Sequence, residues 1–301
     1  MKNAMAATPI WSGRETQLAA GLTVRRVLPA VARRSVGPFV FFDHFGPATL
    51  PPDLDTDVGP HPHIGLATIT YLLEGAMLHR DSLGSVQEIV PGAINWMTAG
   101  RGIVHSERTP EALRGHTRNL QGLQLWVALP PALETMAPDF QHVASTDIPV
   151  YCAIIERGEV RVRVLLGSAW GLQSPVRTAS PTLYLDLHLP PDAEWVLPPL
   201  APEMALYSPS DPLWVDQTEV PARHMLVLPA QTACRLRAPA DGARLLLIGG
   251  APLEAPVRMW WNYVSTDPSR IAAAAKAWAN GGFDSIPGDA TRVDGPPWPG
   301  P

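Results

Sequence analysis

Proline sets the strongest limit on what this chain can become. It supplies 34 of 301 residues, roughly twice the usual ~5%. Each proline lacks an N–H and clashes with the preceding turn of a helix, so long helices are disfavoured. Disorder is not the alternative. The chain is 46% hydrophobic and only 17% charged, against a typical ~25% charged, and a chain of this composition can bury a large core. Short strands joined by rigid turns remain, as in a β-sandwich or β-barrel.

The pattern along the chain agrees. Strands are expected at 21–28, 39–42, 67–73, 76–81, 87–90, 94–98 and 122–129, with 47–60 an irregular acidic loop. After a proline-rich join at 130–149, with a short helical turn at 132–136, the style repeats. Strands are expected at 160–166, 182–189, 194–197, 204–207, 213–216, 224–228, 234–237 and 244–248. Turns every ~8–12 residues indicate an all-β fold. One helix is expected at 269–280, where six alanines run up to Gly281 as a C-terminal stop. At ~150 residues per domain the length gives two domains. The division read here is 1–135, 136–286 and a loosely ordered proline-rich tail at 287–301.

Other classes are set aside. The formal charge is −5 and no basic stripe is interleaved with aromatics, so nucleic acid is not an expected partner. Cys152 and Cys234 lie in apolar runs without a CxxC and are expected to be buried, reduced thiols. No run of ~18 apolar residues occurs, so no membrane span is expected. Residues 1–21 lack a continuous apolar core of a signal peptide, and a cytoplasmic location is expected. No GxxxxGK[ST] or GxSxG is present, and Gly100-Arg101-Gly102 opens no dinucleotide-binding helix.

The chemistry concentrates in the first half. His61-Pro62-His63 is an HxH, and His105-Ser106-Glu107 is an HxE. On an extended segment residues i and i+2 point to one face, so each pair can present two donors to one ion. The 42 residues from His63 to His105 (105 − 63) allow a meander to return the second pair to the first. Three imidazoles and a carboxylate suit Fe(II), Mn, Ni, Co, Cu or Zn, with room for water or substrate. The other six histidines lack a partner at ligand spacing. His79, on its strand, is expected to make a hydrogen bond, as a neighbour of a metal site would. Asp81 is expected to pair with Arg80 or accept in a turn. Trp96, Trp126 and Tyr71 are expected to fill the barrel.

Longer motifs carry a resemblance. FDHFG at 42–46, HPHIG at 61–65, TITYLLEG at 68–75, HRDSLG at 79–84, Pro91-Gly92 and NWMTAGRGIVHSE at 95–107 resemble the signature of the pirins, members of the cupin superfamily. QLWVAL at 124–129, GGAPLEAP at 249–256 and the stretch 260–263 extend the match over roughly residues 8–283. The resemblance implies a bicupin of two β-barrels. The N-terminal barrel would hold one metal, usually iron, on three histidines and one glutamate, which fall here on His61, His63, His105 and Glu107. The second barrel would lack ligands, and no HxH or HxE follows Glu107. Ile64 and Ala67 stand where the family commonly has a basic and an acidic residue. The implied activity is a quercetin 2,3-dioxygenase-like cleavage of a flavonol by O2, with Glu107 ligating the metal or accepting the flavonol proton. The alternative is a redox-sensitive regulator that binds a protein partner. A monomer is expected.

Overall fold

The computed structural model describes residues 9–19 and 22–299, so the start of the expected 21–28 strand lies outside the described residues. The fold is mostly β, with a single α-helix, Pro268–Ala279, among the described residues. No described helix is long and apolar enough to cross a membrane. The chain divides into two compact units, neither continuous in sequence. One comprises 15–26, 40–147 and 253–301, and the other 1–14, 27–39 and 148–252.

In the first unit, four antiparallel strands lie in the order Val58–His63, Ile103–Arg108, Met77–Asp81, Val86–Ile89. The HxH and the HxE are therefore on adjacent strands, with His105 opposite His61 and Ile103 opposite His63. A seven-stranded sheet runs Asp139–Val143, Ile94–Thr98, Leu66–Glu74, Arg118–Ala128, Phe39–Leu50, Leu22–Leu28, Arg14–Ala19. Apolar clusters around Phe41, Leu66, Met97 and Trp126, and around Phe45, Leu50, Leu72 and Leu120, pack this unit.

The second unit carries a seven-stranded sheet and a four-stranded one. Alternation along its strands sends Val160, Val162 and Val164, then Leu183, Leu185, Leu187 and Leu189, then Leu245 and Leu247 into one apolar cluster. Asp186 sits on the opposite face of its strand. It is held by Arg244 at 2.7 and 3.0 Å and by His188 at 3.3 Å. Those partners keep its carboxyl well below the usual carboxylate range against the opposing effect of burial.

By contacts, 253–299 groups with the first unit. Three readings need correction. The proline-rich join is not a bare linker, since Asp139–Val143 pairs in full with Ile94–Thr98; prolines flank this strand but do not interrupt it. The acidic loop is short, because one strand runs on to Leu50 and the next begins at Val58. Cys152 is exposed, on a strand whose side chains alternate towards solvent, while Cys234 is buried.

The tail also differs from expectation. Asp289 accepts from Arg108 at 2.7 and 2.8 Å and from Ser106 Oγ at 3.1 Å. Val293 N donates to Pro60 O at 2.9 Å, and Trp298 packs against Trp260 with centroids 5.0 Å apart. Its prolines stiffen a segment that is fixed by these contacts. Ahead of it, the helix begins at Asp267, whose side chain accepts from Ser269 N at 2.8 Å. Its buried face is Ile271, Ala274 and Trp278, at helical spacing, and Gly281 follows with φ +71°.

Gly65 joins the HxH strand to the next. It has φ +70°, and a Cβ there would lie 1.9 Å from Val264 O. Both the backbone conformation and the space require glycine. Gly65→Ala is expected to destabilise the protein by about 2–4 kcal/mol, read as a lower denaturant midpoint. An unchanged midpoint would contradict the close approach.

Candidate metal centre

His61, His63 and His105 converge on one point inside the first unit. Each offers a ring nitrogen within 4.8 Å of the others, and all three residues are buried. They are the one such group of three among the described residues. Ring centroids are 5.1 Å (His61–His63), 4.4 Å (His61–His105) and 5.0 Å (His63–His105) apart.

Backbone carbonyls fix two of the rings. His61 Nδ1 donates to Gly59 O at 2.8 Å, and His63 Nδ1 donates to Asn262 O at 3.0 Å. Both Nε2 atoms are thereby left as bare lone pairs. His63 Nε2 lies 3.1 Å from His105 Nε2. Two ligands at ~2.1 Å and a right angle around one ion stand roughly 3 Å apart, so this spacing fits a shared first-row cation. His105 Nδ1 is buried without a hydrogen-bond partner. Its ring is held by packing, 5.4 Å from His79, which stacks on Phe140 at 4.3 Å. His79 Nε2 is fixed at 2.9 Å from Asp81 Oδ2, and Asp81 Oδ1 accepts from the backbone N–H of Leu83 and Ser85. Asp81 is thus a turn acceptor, while Arg80 reaches Pro287 O instead.

Burial keeps the imidazoles neutral, the form that binds metal. It holds His61 down to about 4. It drives His63 and His105 well below the usual histidine value, with neighbouring histidines adding to the effect.

Glu107 follows His105 by two residues on the same strand, opposite His79. It is not part of the close group of three. The ladder slips between His105 and Glu107, a bulge that re-aims the later side chain. Burial lifts its carboxyl to about 7, partly offset by Thr70 Oγ1, 3.4 Å from Oε1. The same hydroxyl lies 2.9 Å from Gln124 Oε1, so its one hydrogen serves one or other of these acceptors. A cavity of about 20 Å³ adjoins Glu107, between Thr56, Met77 and Arg118, room for a single water.

Asn262 and Phe140 escape a sequence reading. Asn262 acts through its carbonyl, which any residue has, and its one cue is its place in the 260–263 stretch. Phe140 lies in the segment read as a linker.

An all-β chain of two units with one buried histidine centre defines a metal-binding cupin of the two-barrel kind. The chain belongs to the pirin family. The Pirin model matches residues 21–127 and the Pirin C-terminal cupin domain model residues 184–284. A pirin-like protein of Caulobacter vibrioides is 42% identical over 261 residues, covering 86% of this chain and 88% of the relative. The crystal structure of a quercetin 2,3-dioxygenase from Acinetobacter baumannii superposes with TM-score 0.87 at 35% identity, covering 97% of this chain and 95% of that one. The nickel(II) complex of the Escherichia coli pirin YhhW has the same fold, with TM-score 0.62 at 18% identity, covering 81% of this chain and 100% of that one.

Proposed function

We propose that this protein is a metal-dependent dioxygenase that cleaves flavonols such as quercetin with O2. The ion would be Fe(II), held by His61, His63, His105 and Glu107. The observation that carries this reading is the 3.1 Å approach of two imidazole Nε2 atoms inside a buried, neutral triad. The likeness to a protein titled quercetin 2,3-dioxygenase supports the substrate. Other first-row ions suit the same donors, and nickel is the ion in the E. coli relative.

When bound, the ion supplies Lewis acidity towards a hydroxyl oxygen and a common meeting point for substrate and O2. The chain supplies the rest. Glu107, two residues beyond His105 on the same strand, would take the proton of the flavonol 3-hydroxyl. Thr70 Oγ1 adjoins the accepting carboxyl and can give its one hydrogen to it or to Gln124, and the adjoining cavity has room for one water to carry the proton onward. Phe41, Met97 and Trp126 give the barrel apolar walls that limit access of water.

Iron-loaded protein mixed anaerobically with quercetin and then exposed to O2 is expected to bleach the flavonol band and release CO. Persistence of the band with no CO would overturn the proposal.

A pH effect follows from Glu107. A carboxyl with a raised folded pKa favours the folded state while protonated. That contribution is complete below about 4.5 and is lost as pH rises through about 7. Metal uptake displaces the same proton. Titration calorimetry in buffers of different ionisation enthalpy is expected to show about one proton released per metal near pH 6 and almost none near pH 8. Glu107→Gln should abolish the difference; equal release at both pH values would exclude Glu107 from the ligand set.

A further inference from the structure

The sheet face opposite the metal strands carries two buried donors with nothing to donate to. Asn95 pairs across the ladder with Thr70, and Thr70 with Gln124. In the next row Met97 pairs with Thr68, and Thr68 with Trp126. Because i and i+2 share a face, all six side chains look the same way. That face meets the metal centre, since Thr70 Oγ1 lies 3.4 Å from Glu107 Oε1 and the Trp126 ring stands edge-on to His63 at 5.2 Å.

Asn95 is 3% exposed and Trp126 6% exposed. The Asn95 amide is oriented, because His142 Nδ1 donates to its Oδ1 at 2.7 Å. Its Nδ2 and the Trp126 Nε1 are both buried without a partner. The indole stacks flat on Phe41 at 4.0 Å and 11°, so a rigid aromatic pair fixes its N–H. The indole nitrogen can only donate, and a primary amide whose oxygen is taken can only donate as well. Buried donors left unmet are costly, and native structures rarely keep them without a reason.

We propose that Asn95 Nδ2 and Trp126 Nε1 are specificity-determining donors for a planar hydroxy-carbonyl ligand beside the metal, receiving its carbonyl or ionised hydroxyl oxygens. Donors of this kind, set beside a cation site, select acceptor oxygens and disfavour donor-only groups such as ammonium. The inference rests on the dioxygenase reading for the identity of the site, and flavonols are one member of the class.

The test uses zinc-loaded full-length protein, which is redox-inert, and maltol, a small planar hydroxy-ketone, followed by its ultraviolet absorbance. Wild type is expected to bind maltol. Trp126→Phe keeps a six-membered aromatic ring beside Phe41 and removes the N–H together with the pyrrole part of the indole, and Asn95→Leu is nearly isosteric. Each is expected to raise Kd about tenfold with metal content unchanged, the size of one lost hydrogen bond. In wild type the Trp126 indole proton resonance should move downfield on maltol binding, a readout that needs no variant to fold. Variants that bind as tightly as wild type, an unmoved indole resonance, or no maltol binding by wild type would overturn the proposal. Quercetin turnover by the iron form is scored separately. Its absence with maltol recognition intact would remove the dioxygenase reading and leave the donor assignment standing.

Discussion

His105→Ala is expected to give a folded protein that loses its metal during dialysis and consumes no flavonol. His105 is the cleanest of the three histidines to remove. Its Nδ1 has no hydrogen-bond partner, so alanine orphans no carbonyl. His63→Ala, by contrast, would leave Asn262 O without its donor. The His105 ring is surrounded by three other imidazoles, His61, His63 and His79, all within 5.4 Å between centroids. Removing one neutral ring from that group should cost about 1–3 kcal/mol of stability. The metal loss should be far larger. Deleting even an outer partner of a ligand typically costs 10–100-fold in affinity, so loss of a ligand should exceed roughly 100-fold. Elemental analysis and a melting curve separate the two effects. A variant that keeps a full complement of metal would remove His105 from the centre.

The second large effect is expected from a change that touches no ligand. A chain ending at Pro252 keeps His61, His63, His105 and Glu107, yet it should not hold metal. It loses Asn262 O, which sets the His63 ring. It loses the bridge between Ile64 and Tyr263 and the bond from Val264 N to Ile64 O. Ile64 and Val104 lose Tyr263, Ile271 and Trp278, which pack against them. Glu134, 1% exposed, loses Ser265 Oγ at 2.5 Å, Thr266 N at 2.7 Å and Arg270 at 3.2 Å. A buried carboxylate stripped of its partners costs about 3–5 kcal/mol on its own. The expected result is loss of a cooperative melting transition for the metal-bearing unit, together with loss of metal. Glu134→Ala in the full chain should reproduce part of the destabilisation while sparing the ligands. A truncated chain that binds metal normally would show that the 253–301 segment is dispensable to the centre.

These two predictions mark what could and could not be seen in the sequence. The HxH and the HxE are local patterns. An extended backbone puts i and i+2 on one face, and two such pairs 42 residues apart nominate four residues, of which the three histidines converge within 4.8 Å. The strands also followed from alternation and turn residues, with 94–98, 182–189, 194–197 and 234–237 falling where expected. What stayed hidden depends on long-range contacts without a side-chain signal. The carbonyl that orients His63 is 199 residues away in the chain. Proline content in the tail suggested looseness, but Asp289 and Val293 are anchored by groups more than 180 residues earlier, which no local pattern encodes. Phe140 sat in a stretch whose flanking prolines masked a strand of five residues.

The backward reach of the last segment has a consequence for synthesis. Asn262 is added 155 residues after Glu107 (262 − 107). At 5–20 residues per second, all four proposed ligands wait roughly 8–30 s before the carbonyl that orients His63 exists. Ser106 and Pro60, which adjoin the ligands, wait longer still for Asp289 and Val293. The centre therefore cannot be finished before the segment that carries Asn262 has been made. On the proposed ligand set, metal would be acquired after the C-terminal segment has folded back, and a chain interrupted before that point would carry all four proposed ligands but no completed site.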